Sequence, residues 1–194
     1  AASTAGSVDA TARPFAPEVF LSATEHTAPG ALADGGATLY LTRSALDFSR
    51  SRIFVSHRAD GAWSAPPPLF EAGHTDSGPS LAPDGGTLYF HSNRPTGLDG
   101  VADEWNLFAA ERAGDGWSAP RALPAPVNGA KSDCCVATAP DGSLYFASDR
   151  DGSWDIWRAR QEDGAWRVER LPEAVNSPHM EWPSAVDRVP DAGG

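Results

Sequence analysis

Four residues recur at one place in the sequence and are the most regular candidates for chemistry. Asp76, Asp133 and Glu181 each stand just before a short run of small residues, and His26 holds the matching place near the start of the chain. If the fold brings them to a common opening, they could bind a cation, an amine or a sugar hydroxyl. The alternative is that each residue caps its own turn by accepting backbone N–H bonds, as aspartate often does. We treat the four as candidate ligand-binding residues and predict no catalytic residue.

Three more carboxylates, Asp149, Asp151 and Asp155, lie in one short loop. Closely spaced oxygen ligands suit Ca²⁺, but this spacing does not match the EF-hand loop. An earlier part of the chain shares with this loop an arginine after a polar residue, followed by a tryptophan and another polar residue. These residues are Asn93-Arg94 and Trp105-Asn106 there, and Asp149-Arg150 and Trp154-Asp155 here. The shared arginine favours a structural bridge to aspartate or asparagine over a metal site, so we predict no bound metal.

Cys134 and Cys135 are adjacent, and the chain has 2 cysteines in all. Neighbouring residues of a strand point apart, so a disulfide between them would need a strained peptide. The 5 histidines are scattered singly, which disfavours a site of thiolates and imidazoles. We therefore expect two small buried thiols. Because the sequence also lacks a Gly-x-Ser-x-Gly elbow, a His-Glu-x-x-His pair and a phosphate loop, we predict no cofactor.

An internal repeat must position all of these residues. The runs Thr38 to Leu41, Thr87 to Phe90 and Ser143 to Phe146 each follow an Asp-Gly pair, and the aspartates of those pairs are 50 and 57 residues apart. The 3 tyrosines of the chain all fall at the second position after the Ser or Thr of these runs. An Asp-Gly between two short β-prone runs is a strong hairpin signal, so each repeat is predicted to begin with a hairpin.

Each repeat contains four predicted strands, which we name A to D. Strand A is the small-residue run before the Asp-Gly, strand B is the Leu-Tyr-aromatic run, strand C follows, and strand D begins at a tryptophan. Their predicted positions are 30–32, 79–82 and 136–139 for A, 52–55, 106–109 and 155–158 for C, and Trp63, Trp117 and Trp166 for the start of D. Four antiparallel strands in about 50 residues, without an amphipathic helix, are typical of a β-propeller blade. The three tryptophans are predicted to pack between blades, and the arginine bridge would join strands B and C.

Several motifs resemble the Pro-Asp-Gly (WD-like) repeats of TolB-type β-propellers from about residue 14 to residue 194. They are the Pro83-Asp84-Gly85 turn, the Leu-Tyr-Phe strand, Ser148-Asp149-Arg150 and Trp154-Asp155-Ile156-Trp157. The resemblance implies an all-β propeller fold and an exported protein, periplasmic or secreted, whose signal peptide has been removed. It implies little about activity, because that scaffold hosts binding modules and enzymes alike.

The repeat divides the chain into three complete blades at about 22–70, 71–124 and 125–172. We expect a disordered segment at 1–13, an outer strand at 14–21 and an inner strand within 175–194. Closed propellers typically have four to eight blades. Three blades therefore predict part of a larger propeller, although a self-associating chain and an open arc are alternatives.

Charge and composition exclude some partners and leave two functions. The net charge is -11, with 15 cationic and 26 acidic residues and no basic run, which disfavours nucleic acid and anionic membranes. No apolar stretch is long enough to predict membrane insertion. We favour a non-enzymatic binding module that presents its channel mouth and loops to a protein or a glycan. The alternative is a hydrolase or lyase acting on polysaccharide or peptide with Asp76, Asp133 and Glu181.

Overall fold

The structure, a computed structural model, describes residues 22–102 and 104–183. The segment expected to be disordered at 1–13 and the outer strand expected at 14–21 lie outside the described residues. The inner strand expected within 175–194 lies partly outside them, and residues 175–183 form no strand.

Three antiparallel sheets follow one another along the chain and confirm the predicted all-β fold. Blade one consists of β1 (Glu25–Ala33), β2 (Thr38–Ala45), β3 (Ser51–Ala59) and β4 (Ala62–Trp63). Blade two consists of β5 (Asp76–Leu81), β6 (Thr87–Ser92), β7 (Asn106–Ala113), β8 (Gly116–Trp117) and β9 (Arg121–Ala122). Blade three consists of β10 (Asp133–Thr138), β11 (Leu144–Ser148), β12 (Asp155–Glu162) and β13 (Ala165–Arg170). Strand D of blade two is divided into β8 and β9, which both pair with β7, and Pro120 between them has no N–H to donate.

The Asp-Gly pairs form the predicted turns between strands A and B. Gly85 and Gly142 have φ angles of 74° and 82°, in the left-handed region that favours glycine. Their N–H groups donate to the carbonyls of Ala82 and Ala139 at 2.9 Å and close the two turns. The same pair in blade one lies in a short 3-10 turn, Asp34–Gly36.

The apolar core lies between neighbouring blades. Ile53 of blade one packs in one cluster with Phe90 and Phe108 of blade two. Leu107 of blade two packs in another cluster with Phe146 of blade three. Each blade is therefore stabilised by burying one face against the next blade.

Two of the three repeat tryptophans pack between blades as predicted. The ring of Trp117 in blade two meets the ring of Tyr40 in blade one edge to face, with centroids 5.9 Å apart. Trp166 of blade three packs against the cluster that also holds Tyr89 of blade two.

The innermost strands carry bulges and touch one another. The pairing of strand A with strand B shifts register between Ser77 and Ser80 in blade two and between Cys134 and Ala137 in blade three. Thr138 joins the two strands, because its backbone N–H donates to Ser80 Oγ at 2.9 Å and its hydroxyl donates to the Leu81 carbonyl at 2.6 Å. These contacts hold the inner strands of blades two and three side by side.

Candidate functional site

The inner strands of all three blades line one cleft of about 470 Å³, which we call the axial cleft. Strand A contributes residues 29–32 of blade one, 78–81 of blade two and 135–138 of blade three, and His91 and Pro183 complete the lining. Most of these side chains are small, apolar or hydroxylic. No acidic residue is among the lining residues that the structure describes.

Asp76 lies at the start of β5 and is engaged within its own blade. The residue is 2% exposed, and its carboxylate accepts from Arg94 Nη2 at 2.6 Å, from Arg94 Nε at 3.1 Å and from Ser92 Oγ at 2.7 Å. The carboxylate is thus part of a buried ion pair, and it is not among the residues that line the axial cleft.

Asp133 holds the equivalent place in blade three. It is fully buried, and its two oxygens accept from Arg150 Nη2 at 2.6 Å and from the Gly129 N–H at 2.8 Å. Burial raises the pKa of this carboxyl, and the Arg150 charge opposes that shift. The Gly129 bond agrees with the turn-capping interpretation.

The predicted arginine bridge between strands B and C is wrong. Arg94 and Arg150 follow strand B and bind the aspartate that opens strand A, because Asp76 pairs with Ser92 and Asp133 with Ser148 at that end of each hairpin. Asp155 of strand C instead accepts from Arg170 of strand D, at 2.9 Å on each oxygen. That hydrogen bonding lowers the pKa of Asp155.

Glu181 and His26 occupy different surroundings from the two aspartates. Glu181 accepts from the Ser177 hydroxyl, and its N–H donates to the Trp154 carbonyl at 3.0 Å. His26 is exposed and stacks on Phe48 with ring centroids 4.6 Å apart. Each of the four predicted residues has its own local partners, and ligand binding by them stays a prediction.

No cluster suited to a metal ion is found in the described ranges: nowhere do three or more His, Cys, Asp or Glu side chains converge. In the loop that could have suited Ca²⁺, Asp155 is paired as described above, and the Asp149 carbonyl accepts from the Gly152 N–H at 2.9 Å. That Asp149, Asp151 and Asp155 bind no metal stays a prediction.

His91 is a functional candidate that sequence reasoning missed. Its Nδ1 accepts from the Cys135 N–H at 3.2 Å, and its ring meets Trp105 edge to face at 5.4 Å. Burial lowers the pKa of His91 to about 4, so the imidazole is neutral at pH 7. A histidine in the Leu-Tyr-Phe-His run, where the other repeats have Thr42 and Ala147, is the signal that could have found it.

The cysteines differ from the prediction of two buried thiols. Cys134 is buried, but Cys135 is partly exposed and lines the axial cleft. The two Sγ atoms do not point apart but lie 3.1 Å from each other. The cause is the bulge in β10, where Cys135 has a φ of 57° and breaks the alternation of a regular strand.

No helix among the described residues is long and apolar enough to cross a membrane.

Comparison with known proteins yields likenesses in structure alone. No protein-family model matches the chain, and no curated protein sequence matches it. A putative TolB from Agrobacterium tumefaciens superposes with a TM-score of 0.52 at 21% identity, over 78% of this chain and 47% of that one. TolB from Acinetobacter baumannii gives 0.54 at 16% identity, over 83% and 35% of the two chains. A puromycin-hydrolyzing peptidase from Mycobacterium tuberculosis gives 0.53 at 20% identity, over 82% and 24%.

The alignments cover about half of the first of these proteins and a smaller share of the other two. At such low identity they inform about the fold and not about the ligand. The three antiparallel sheets and these likenesses together show that the chain has a TolB-like β-propeller fold.

Proposed function

We propose that the chain is a binding module of the TolB-like propeller type, whose axial cleft and adjoining loops receive a segment of a partner protein. The axial cleft is the main support, because inner strands of three blades converge on it and leave it open. Its volume of about 470 Å³ lies within the range of ordinary ligand pockets. Such a cleft can hold a few side chains of an inserted segment.

The lining of the cleft suits an extended peptide better than a charged small molecule. Leu32 is 59% exposed at one side and offers apolar surface to a ligand. Pro29 and Pro79 leave the backbone beside them with fewer donors, so shape and apolar contact carry much of the recognition. The net charge of -11 favours partner segments that are basic outside the inserted part.

The chemistry of the described carboxylates favours binding over turnover. A general acid or base must lie within hydrogen-bond reach of the substrate. Asp76 and Asp133 are buried in ion pairs with Arg94 and Arg150, so neither is available in the cleft. His91 Nδ1 already accepts the Cys135 N–H, so this nitrogen is occupied within the protein.

A hydrolase or lyase acting on peptide or polysaccharide is the second candidate. The likeness to the puromycin-hydrolyzing peptidase supports it, although this chain spans 24% of that protein. In that case further blades or another domain would supply catalytic groups. We also propose three further points: a glycan as an alternative ligand, a periplasmic or secreted location, and completion of the propeller by further blades or a second copy.

Selection from a displayed library of random peptides, with the purified chain as bait, tests the function. Leu32→Glu places a charge in the cleft at an exposed position and should weaken capture of the selected peptides at least about tenfold. Leu46→Glu is the matched control, because Leu46 is 56% exposed and is not among the lining residues. Equal loss in both variants, or no selected peptide, would reject a cleft for protein segments.

Turnover is measured in parallel on a panel of peptides and polysaccharides. We expect the parent chain to turn over none of these substrates. The double variant Asp76→Asn with Asp133→Asn should therefore show the same absence of turnover as the parent. Turnover by the parent that disappears in a folded double variant would establish the hydrolase or lyase. Retention on a glycan array without peptide capture would assign a glycan ligand instead.

A further inference from the structure

Cys134 and Cys135 lie together at the wall of the axial cleft. Both are free thiols, and their Sγ atoms are 3.1 Å apart. Cys134 is 6% exposed, whereas Cys135 is partly exposed and lines the cleft. One thiol thus faces the solvent, and the second lies directly behind it.

The backbone holds the outer thiol in an unfavourable conformation. Cys135 has a φ of 57°, and Gly78, at the equivalent position of blade two, has a φ of 64°. Glycine adopts this left-handed conformation without steric cost, but a residue with a Cβ does not. Strained residues of this kind cluster at functional sites. The chain therefore carries a thiol at a position whose backbone conformation favours glycine.

His91 and Cys134 fix the chemistry of the outer thiol. The Cys135 N–H donates to His91 Nδ1 at 3.2 Å, which anchors the bulge to blade two. The hydrogen bond with Cys134 lowers the pKa of Cys135 and raises that of Cys134. Because the attacking thiolate must be reached by the substrate, the partly exposed Cys135 is the nucleophile and the buried Cys134 is the second thiol of the pair.

We propose that Cys134 and Cys135 form a thiol–disulfide exchange site whose substrate is a small-molecule disulfide that enters the axial cleft. The Cys135 thiolate attacks one sulfur of the disulfide, forms a mixed disulfide and releases the other half as a thiolate that takes up the proton Cys135 has lost. Cys134 then loses its proton and attacks Cys135 Sγ, which breaks the mixed disulfide and releases the second half as a thiol. Two electrons pass from the cysteine pair to the substrate, and the protein is left with a disulfide between adjacent residues.

An inert pair of core thiols would differ in two respects. Core thiols are enclosed on all sides and need no special backbone geometry. Cys135 meets neither condition, because it borders the cleft and occupies a left-handed position. A disulfide closed across one peptide unit is strained, so the oxidised pair should also be easily reduced again.

The experiment uses the whole chain, reduced and then freed of reductant, and oxidised glutathione as the probe. Samples are quenched with an alkylating reagent, and intact mass and peptide mapping give the fate of each thiol. Wild type should lose both thiols, retain no glutathione and recover both thiols with a mild dithiol reductant. Cys134→Ser should retain one glutathione on Cys135. Cys135→Ser should be modified at Cys134 at least about tenfold more slowly, since that thiol is buried.

Cys135→Gly guards against a variant that fails to fold, because glycine suits the left-handed backbone at this position. It should fold at least as well as wild type and react as slowly as Cys135→Ser. Four results would each overturn the proposal: thiols that persist in folded wild type, equal rates of modification at both cysteines, glutathione retained on both residues, or disulfides between chains.

Discussion

Removing Arg150 tests how far a buried carboxylate depends on its arginine. Asp133 is fully buried, and Arg150 Nη2 lies 2.6 Å from its Oδ1. Arg150 also donates to the carbonyls of Pro126 and Val127, at 2.9 and 2.6 Å, and to Ser148 Oγ at 2.8 Å, so Arg150→Met would leave four acceptors without this donor. Deleting one partner of a buried ion pair typically costs about 3–5 kcal/mol, and we expect a loss of unfolding free energy in that range.

The loss should depend on pH in a defined direction. Burial already raises the pKa of Asp133, and the Arg150→Met variant would lack the arginine charge that opposes this rise. A carboxyl whose pKa is raised by folding contributes stability when protonated and loses it as pH rises through the folded pKa. The cost of Arg150→Met should therefore be largest at neutral pH and smaller in mild acid.

Urea unfolding followed by tryptophan fluorescence measures these differences. Asp133→Asn should cost less, about 1–3 kcal/mol, because it leaves no uncompensated buried anion. The double variant should lose less than the sum of the single losses. Arg160→Met is the control, because Arg160 pairs with Glu162 and Glu169 at an exposed site, where such pairs are worth about 1 kcal/mol or less. A cost for Arg150→Met no greater than that of Arg160→Met would refute the reasoning.

Three further predictions follow from named contacts. Burial lowers the pKa of His91 from 6.5 to about 4, so the folded chain keeps this imidazole neutral at a pH where the unfolded chain protonates it. The free energy of unfolding should therefore fall by up to about 3 kcal/mol as the pH falls from 6.5 to about 4. The dependence should be absent from His91→Asn, and its persistence in that variant would assign it to other groups. Gly30→Ala should destabilise by about 2 kcal/mol or more, because a Cβ there would lie 2.4 Å from Pro79 Cγ; an unchanged thermal midpoint would contradict this packing. Asn128→Ala should lower the free energy of unfolding in urea by about 2–4 kcal/mol, because the buried Asn128 side chain accepts from the Leu107 N–H and donates to the carbonyls of Leu107 and Leu123. Asn93→Ala, at an exposed residue, is the control, and an equally small loss in both variants would contradict this prediction.

The strands were predictable because their signals are local. Asp-Gly pairs favour left-handed turns, and the Leu-Tyr-Phe runs alternate as strands do, so hairpins appear at the predicted positions. The repeat adds a second line of evidence, since a residue such as Trp117 is informative only when Trp166 shares its position. The fold class follows from these two features.

The site was less predictable because it depends on contacts across the blades. The aspartate before each strand A was visible in the sequence, but its partner was not, since the pairing register decides that Arg94 meets Asp76. The bulge that turns Cys135 toward the cleft cannot be derived from alternation, which would place the two thiols on opposite sides of the strand. Comparison of the repeats does give one signal for the bulge. Blade two has Gly78 at the position of Cys135, and a glycine there indicates a left-handed backbone conformation.

The placement of polar and apolar contacts gives the chain a particular pattern of cooperativity. The ion pairs of Asp76 and Asp133 close inside single blades, whereas the apolar clusters are shared by neighbours. An array built in this way behaves as a row of units with nearest-neighbour coupling. Local opening at the Asp133 pair should thus speed amide exchange in blade three and at its boundary with blade two, and leave blade one nearly unchanged. Duplication or loss of one such unit would directly remove or add only the contacts that this unit makes with its neighbours.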